Sequence, residues 1–210
     1  VVRMRPSRIA LFGYAHVPQM FPRQRRIDVS ALPGHAERFE QAAHGHDRLV
    51  REGYVAIGFD HFALPEDPLA VAAQKGRVRR NFQGFTEDQA EVLVGFGASS
   101  ISLFPDLIVQ NEKSPGAYRE LVGQSRLAGV RGVRRGDDDR ARGVQIENLL
   151  CQLQTRLDPQ MLDPQLDAML SHFASLGILE RSGDVLKITD EGRPYARNIA
   201  AAFDRHAAAH

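Results

Sequence analysis

"IALFGYA" (residues 9–15) and "YVAIGFDHF" (54–62) decide how this chain folds. Each is a short apolar run that ends in turn residues, the pattern of a strand buried on both faces. Between them lies "SALPGHAERFEQAAHGHDRLVREGY". There Phe39, Ala42, Ala43, His46, Leu49 and Val50 recur at spacings of three and four, which marks one face of a helix. Gly53 suits the position just past the helix end. Strand, helix, strand at this spacing predicts a βαβ unit. Its two strands are expected to be parallel neighbours joined by a right-handed crossover.

Working outward, "DPLAVAAQKG" reads as a short helix with proline in its first turn. "RRNFQGF" (79–85) reads as a loop, with an aromatic, an amide and a glycine between two arginines and a second aromatic. A third strand is expected near "ASSISLF" (98–104), and a serine-capped helix at "SPGAYRELVGQ" (114–124). "LAGVRGVRR" (127–135) alternates like an edge strand. The composition then shifts at "RRGDDDRARG". Asp138 or Asp139 can cap a long helix reaching about Leu153, with Ile146, Leu149, Leu150 and Leu153 as its apolar stripe. After the break "LDPQMLDPQ" come a helix, a hairpin turning at Ser182-Gly183-Asp184, and a closing helix over 190–210. The chain therefore reads as α/β: part of a parallel barrel-like sheet over 1–130, and a helical, winged-helix-like domain over 131–210. A linker is expected at about 126–137.

With 27 basic and 26 acidic residues the net charge is +1. A dedicated nucleic-acid binder carries a clear basic excess. The helix that would enter a DNA groove in a winged-helix protein, 163–177, has no Lys or Arg and contains Asp163 and Asp167. A groove helix without a positive side chain forfeits most of the phosphate attraction, so DNA binding is disfavoured. Cys151 stands alone, which rules out an internal disulfide and points to a reducing, cytoplasmic setting. No apolar run approaches the ~18 residues of a membrane span. The start, "VVRMRPSRIALFGY", lacks the pattern of a signal peptide and leads straight into a strand, as if it began within a domain.

In parallel α/β folds, chemistry gathers at the C-terminal ends of strands. His16, Asp60 and His61 fall at such ends and could act as acids, bases or metal ligands. Ordinary hydrogen-bonded loop residues are the commoner explanation. "HGH" (44–46) is weaker, because residues two apart on a helix face different ways. "FPRQRRID" (21–28) places Arg23, Arg25 and Arg26 after the first strand, and guanidinium forks suit carboxylates or phosphates. A solvated loop explains each of them as well. Asp137, Asp138 and Asp139 fit a helix N-terminus better than a metal site. Cys151 reads as core.

Taken in order, "FGYAHVP", "QRRID", "GYVAIGFDHFA", "RRNFQGF" and "LLCQL" give a pattern that resembles the oxygen-independent coproporphyrinogen III oxidases (coproporphyrinogen dehydrogenases). These are radical S-adenosylmethionine enzymes of haem biosynthesis. The resemblance runs from about residue 7 to about 205. It implies the C-terminal part of an incomplete (β/α) barrel followed by a helical cap. It further implies two S-adenosylmethionine molecules, contacted by Ala15, Phe82, Gln83 and Ile101, and a 4Fe-4S cluster. The family's three-cysteine motif is absent, so the cluster is expected on an N-terminal half that this chain lacks, with no metal held by the chain itself. Phe85 stands where the family usually has Tyr, and "ALPED" (63–67) replaces the commoner "ARPDD".

The implied activity is oxidative decarboxylation of two propionate side chains of coproporphyrinogen III, giving protoporphyrinogen IX. The missing half and the substrate are then the partners, and the chain alone is expected to be inactive. Arg23, Arg25 and Arg26 become candidates for the substrate carboxylates. The alternatives are a haem-binding or haem-trafficking relative without oxidase activity, and, disfavoured above, a winged-helix DNA-binding protein.

Overall fold

The computed structural model describes residues 1–206 and divides into two compact units, Val1–Lys75 and Gly76–His210. The class is mixed α/β. Its sheets are small, and every strand pairing among the described residues is antiparallel.

The first unit holds β1 (Arg8–Ala10), α1 (His35–Arg51), β2 (Val55–Ile57), β3 (His61–Ala63) and α2 (Pro68–Gln74). Its sheet runs in the order β1-β3-β2. The two apolar runs do form strands, and the helix between them forms as its periodicity demands. The strands are not parallel neighbours, however. Gly58 takes a left-handed conformation (φ 56°), which few residues other than glycine adopt readily. The chain therefore reverses at 58–60, and "GFDHF" folds back as β3 instead of prolonging β2. Ile57 faces His61 across this hairpin, and Ala10 faces His61 from the other side. β3 thus occupies the edge of β2 that β1 was expected to take. The expected parallel sheet is replaced by a central antiparallel strand.

Leu49, Tyr54, Phe62 and Leu64 form the core here, with Ile9, Leu11 and Ala56 packed against them. Tyr54 donates from its hydroxyl to the Pro6 carbonyl (2.8 Å). Asp67 caps α2 by accepting from the Leu69 N–H (2.8 Å) and also takes Arg8 Nε at 2.8 Å. On α1, Leu49 is buried, but Phe39 and Val50 are each 44% exposed. The apolar stripe that identified this helix is therefore mostly uncovered.

The second unit begins with β4 (Arg79–Asn81) and β5 (Gly84–Thr86), a hairpin in which Asn81 pairs Gly84. "RRNFQGF" is thus an ordered two-residue turn and its strands, where the sequence suggested a loop. Asn81 Oδ1 accepts from the Gln83 N–H (2.8 Å), and Gly84 carries φ 138°. Those two features close the turn without a β-branched residue. Next come β6 (Ile101–Leu103), β7 (Leu107–Asn111), α3 (Pro115–Gly123) and β8 (Gly129–Arg134), with sheet order β6-β7-β8. Ser114 caps α3 through the Ala117 N–H. β8 occupies half of the stretch expected to be a linker, and it is held by its ladder to β7.

The remainder is α4 (Asp137–Gln152), β9 (Gln154–Arg156), α5 (Pro164–Ser175), β10 (Leu179–Ser182), β11 (Val185–Ile188) and α6 (Ala196–Ala201). Asp139 sits in the first turn of α4 and accepts from the Gly136 N–H (2.9 Å), so it closes the helix start from inside. β10 and β11 turn at Gly183-Asp184, and β9 joins them on the far side of β11. Leu149, Leu170, Leu186, Ile199 and Phe203 are almost fully buried and form this part of the core. The closing helix is shorter than expected, because 193–195 form a 3-10 turn at Pro194 and α6 ends at Ala201. The expected helix over 207–210 lies outside the described residues.

Candidate functional site

In the first unit the chain after β1 runs extended. Its anchors explain why it keeps one shape. Leu11 N–H donates to the Asp60 carbonyl (2.8 Å). Pro22 opens a 3-10 turn, Pro22–Arg26, that brings Gln24 back over the strand. Gln24 Nε2 donates to the Ala15 carbonyl (3.0 Å), and its Oε1 accepts from the Val17 N–H (2.5 Å). One amide side chain thus satisfies both backbone groups flanking His16. Arg38, in the first turn of α1, donates from Nη2 to the Tyr14 carbonyl (3.0 Å). Leu11, Phe12, Gly13, Tyr14, His16 and Arg38 line one part of a pocket of about 220 Å³, closed by Leu32, Pro33, Gln41 and Ala42.

Ala15 therefore lies on an exposed, hydrogen-bonded strand extension beside this pocket. Arg23, Arg25 and Arg26 lie on the exposed face of the 3-10 turn and line neither this pocket nor the one below. Asp28, at the end of that turn, accepts from the Ser30 hydroxyl and N–H, which holds its carboxyl below the usual range. His16 meets Tyr14 Oη through Nδ1 at 3.2 Å.

Asp60 and His61 do not end a strand as expected. Asp60 closes the β2–β3 turn and His61 opens β3, where the Gly58 reversal places them. His61 Nδ1 lies 2.6 Å from Asp60 Oδ1, and both side chains are largely covered. His46 packs edge-on against the Phe62 ring at 5.5 Å.

In the second unit the β4–β5 hairpin presents Phe82 and Gln83 at its tip. Phe82 is 48% exposed, and the Gln83 side chain is open to solvent. The base of the hairpin is fixed by Glu147 of α4. Its Oε1 accepts from Arg79 Nε (3.1 Å) and from the Arg80 N–H (3.0 Å). Arg80 stacks over the Phe85 ring at 5.6 Å. Arg79, Arg80, Asn81, Thr86 and Leu103 help line a pocket of about 250 Å³. Ile101 is half-buried at the start of β6. Gly95 lies against it, and a Cβ at position 95 would stand 2.6 Å from the Ile101 carbonyl oxygen. Asn111 Nδ2 donates to the Gly95 and Gly97 carbonyls at 3.2 and 3.1 Å, which pins that segment over the strand.

Sequence reasoning missed Gln24, Arg38 and Glu147. Gln24 was hidden among arginines, and Arg38 and Glu147 were polar residues on helices judged by their apolar faces. The signal for Arg38 was its place one turn into a helix that follows a glycine-bearing strand end.

Cys151 is 5% exposed, and burial pushes its thiol up to about 12. It stays protonated and unreactive. Among the described residues, no group of three or more His, Cys, Asp or Glu side chains could hold a metal ion. With Cys151 as the single cysteine in the sequence, the described residues offer no set of three thiolates for an iron–sulfur cluster. They do fit the contacts expected of an adenosyl and amino-acid ligand: an open aromatic face at Phe82 and an amide at Gln83 that can both donate and accept. Among the described residues, no helix is long and apolar enough to cross a membrane.

No family model matches the chain. An oxygen-independent coproporphyrinogen III oxidase of Bradyrhizobium diazoefficiens is 43% identical over 209 residues, which is 96% of this chain and 46% of the relative. A protein of the same name from Cereibacter sphaeroides is 39% identical over 98% of this chain and 47% of its own length. The solved coproporphyrinogen III oxidase of Escherichia coli, described as a radical SAM enzyme, superposes with a TM-score of 0.90 at 31% identity. That match covers 98% of this chain and 49% of the solved one. The chain thus spans about half the length of the relatives it matches. Over almost all of its own length, it is homologous to the C-terminal half of the oxygen-independent coproporphyrinogen III oxidases.

Proposed function

We propose that this chain is the substrate-side half of an oxygen-independent coproporphyrinogen III oxidase. In this reading residues 1–130 complete part of a (β/α) barrel and residues 131–210 form a winged-helix-like cap. The other half supplies the 4Fe-4S cluster, and the assembled enzyme works in the cytoplasm. The observation that carries the reading is the TM-score of 0.90 over 98% of the chain at 31% identity.

Two molecules of S-adenosylmethionine are the proposed cofactors. When bound, this cofactor supplies the chemistry that removes hydrogen from a propionate side chain. The part taken by this chain is binding and orientation. Gln24 freezes the backbone at 15–17, so Ala15 presents a fixed edge. The Glu147 anchor holds Phe82 and Gln83 in place for stacking and hydrogen bonding. Ile101 offers an apolar contact. Arg23, Arg25 and Arg26 offer guanidinium forks to the carboxylates of coproporphyrinogen III. Two of its four propionates would become vinyl groups, each giving up a hydrogen atom to the cofactor-derived radical and one electron to an external acceptor as carbon dioxide leaves, and the other two are kept. A fixed site on rigid elements lowers the entropy that must be lost as the propionate meets the abstracting group.

The test is a chimera. The N-terminal half of the Bradyrhizobium relative is fused ahead of this chain and loaded with iron and sulfide under anaerobic conditions. The expected result is conversion of coproporphyrinogen III to protoporphyrinogen IX by the chimera and none by the isolated chain. A folded, cluster-loaded chimera that cleaves S-adenosylmethionine but leaves coproporphyrinogen III unchanged would overturn the reading.

A further inference from the structure

The pocket between the tail of β1 and α1 is not used by any residue proposed above for the cofactor or the carboxylates. Its walls are apolar at Leu11, Phe12, Leu32, Pro33 and Ala42, and one cation, Arg38, borders it. Arg38 makes no ion pair with a carboxylate among the described residues. Arg48 on the same helix differs, since it pairs with Glu52 at 2.7 Å. Arg38 is nonetheless oriented, because Nη2 donates to the Tyr14 carbonyl (3.0 Å) and so leaves the other nitrogens of the fork to a ligand.

Gly13 makes room for that arrangement. A Cβ at position 13 would stand 2.9 Å from Arg38 Nη2 and 3.4 Å from Nε. Gly45 does the same for the apolar wall, since a Cβ there would stand 2.6 Å from Leu11 Cδ2. Two glycines thus permit a close approach of helix and strand with a guanidinium at one end and leucine at the other.

We propose that this pocket is a subsite for an apolar arm ending in a carboxylate, with Arg38 as its anion-binding group. On the functional reading above, on which this identification of the ligand rests, the arm is a propionate side chain of the substrate. The volume supports an arm over a whole macrocycle. Drug-sized ligands occupy pockets of roughly 300–1,000 Å³, whereas this one measures about 220 Å³. Arg38 is a positioning residue for one carboxylate and leaves the others to cations elsewhere.

The test uses the chain itself and two small probes, 3-phenylpropionate and the neutral 3-phenylpropanol. Binding is followed by NMR at the Leu11 and Ala42 methyl groups and the Arg38 Nε–H. We expect 3-phenylpropionate to saturate these shifts. Arg38→Gln should weaken it about tenfold or more, the loss of a charge-assisted bond, and Arg38→Lys should restore part of that loss. 3-Phenylpropanol should bind weakly and equally to all three proteins, and Arg51→Gln should behave as the parent. Absence of saturable shifts, or equal 3-phenylpropionate affinity in Arg38→Gln, overturns the subsite. Coproporphyrin III is then titrated separately. If 3-phenylpropionate binds through Arg38 while coproporphyrin III leaves the same signals unmoved, the carboxylate subsite stands and the porphyrinogen reading fails.

Discussion

Replacing Glu147 with alanine should loosen the β4–β5 hairpin from α4. The carboxylate accepts two hydrogen bonds, from Arg79 Nε and the Arg80 N–H. A desolvated charge-assisted bond contributes about 1.5–3 kcal/mol. The Arg79 side chain is 38% exposed, so solvent screening reduces its share to about 0.5 kcal/mol. The Arg80 amide, by contrast, loses a partner in a half-buried strand, a cost of about 1–2 kcal/mol. The sum is ~2 kcal/mol, or a Tm lower by about 4–8 °C. Glu147→Gln keeps an acceptor oxygen and should recover about half of the loss. Calorimetry gives the Tm, and amide hydrogen exchange at Arg80 and Phe85 locates the change, because local opening raises exchange there before it does in the α4 core. An alanine variant with unchanged Tm and unchanged Arg80 exchange would refute this account of what holds the hairpin.

Gly192→Ala should cost at least ~2 kcal/mol, because its Cβ would stand 2.0 Å from the Ile178 carbonyl oxygen, which belongs to backbone. Gly143→Ala, inside α4 with nothing within 4 Å, should stabilise by ~0.5–1 kcal/mol, and urea unfolding compares the two. Phe203→Ala empties a fully buried site and should cost about 3–5 kcal/mol in the same assay. The Cys151 thiol, raised from 9.0 to about 12, gives a pH signature. Between those values the unfolded chain releases the proton and the folded chain keeps it, so stability falls as pH rises. The Cys151 contribution should drop by about 1.4 kcal/mol from pH 8 to pH 10. It is read as the difference between the parent and Cys151→Ala, and equal slopes for the two would contradict the burial argument.

Local signals in the sequence located most elements. Asp67, Ser114 and Asp163, each followed by proline, marked three helix starts that the structure places at those residues. The periodicity of α1 and the Gly183 turn were equally plain. Strand direction was not legible. An apolar run of nine residues has no alternation to betray a reversal, and Gly58 within it looked like one more small residue. The order β1-β3-β2 depends on which backbone edge is filled first, which no single segment encodes. The hairpin at 79–86 was hidden for another reason. Its turn relies on an asparagine side chain and a glycine, while its strands carry arginines that stack or pair instead of alternating with apolar residues. At the candidate sites, arginines drew notice by number. Arg38, which borders the pocket of the first unit, stood apart from the cluster, on a helix whose apolar face had been the focus.

β8 closes one side of its sheet with all six residues exposed, Val130 and Val133 among them. A bare strand edge with valines is ordinarily an invitation to stack. Here "GVRGVR" sets an arginine after each valine. Two copies meeting edge to edge would crowd Arg131 and Arg134 of one against the same guanidiniums of the other, in a setting with few counter-charges on the strand. The strand is therefore its own gatekeeper. Its two guanidiniums repel a second copy of the strand, and the same edge favours an acidic neighbour.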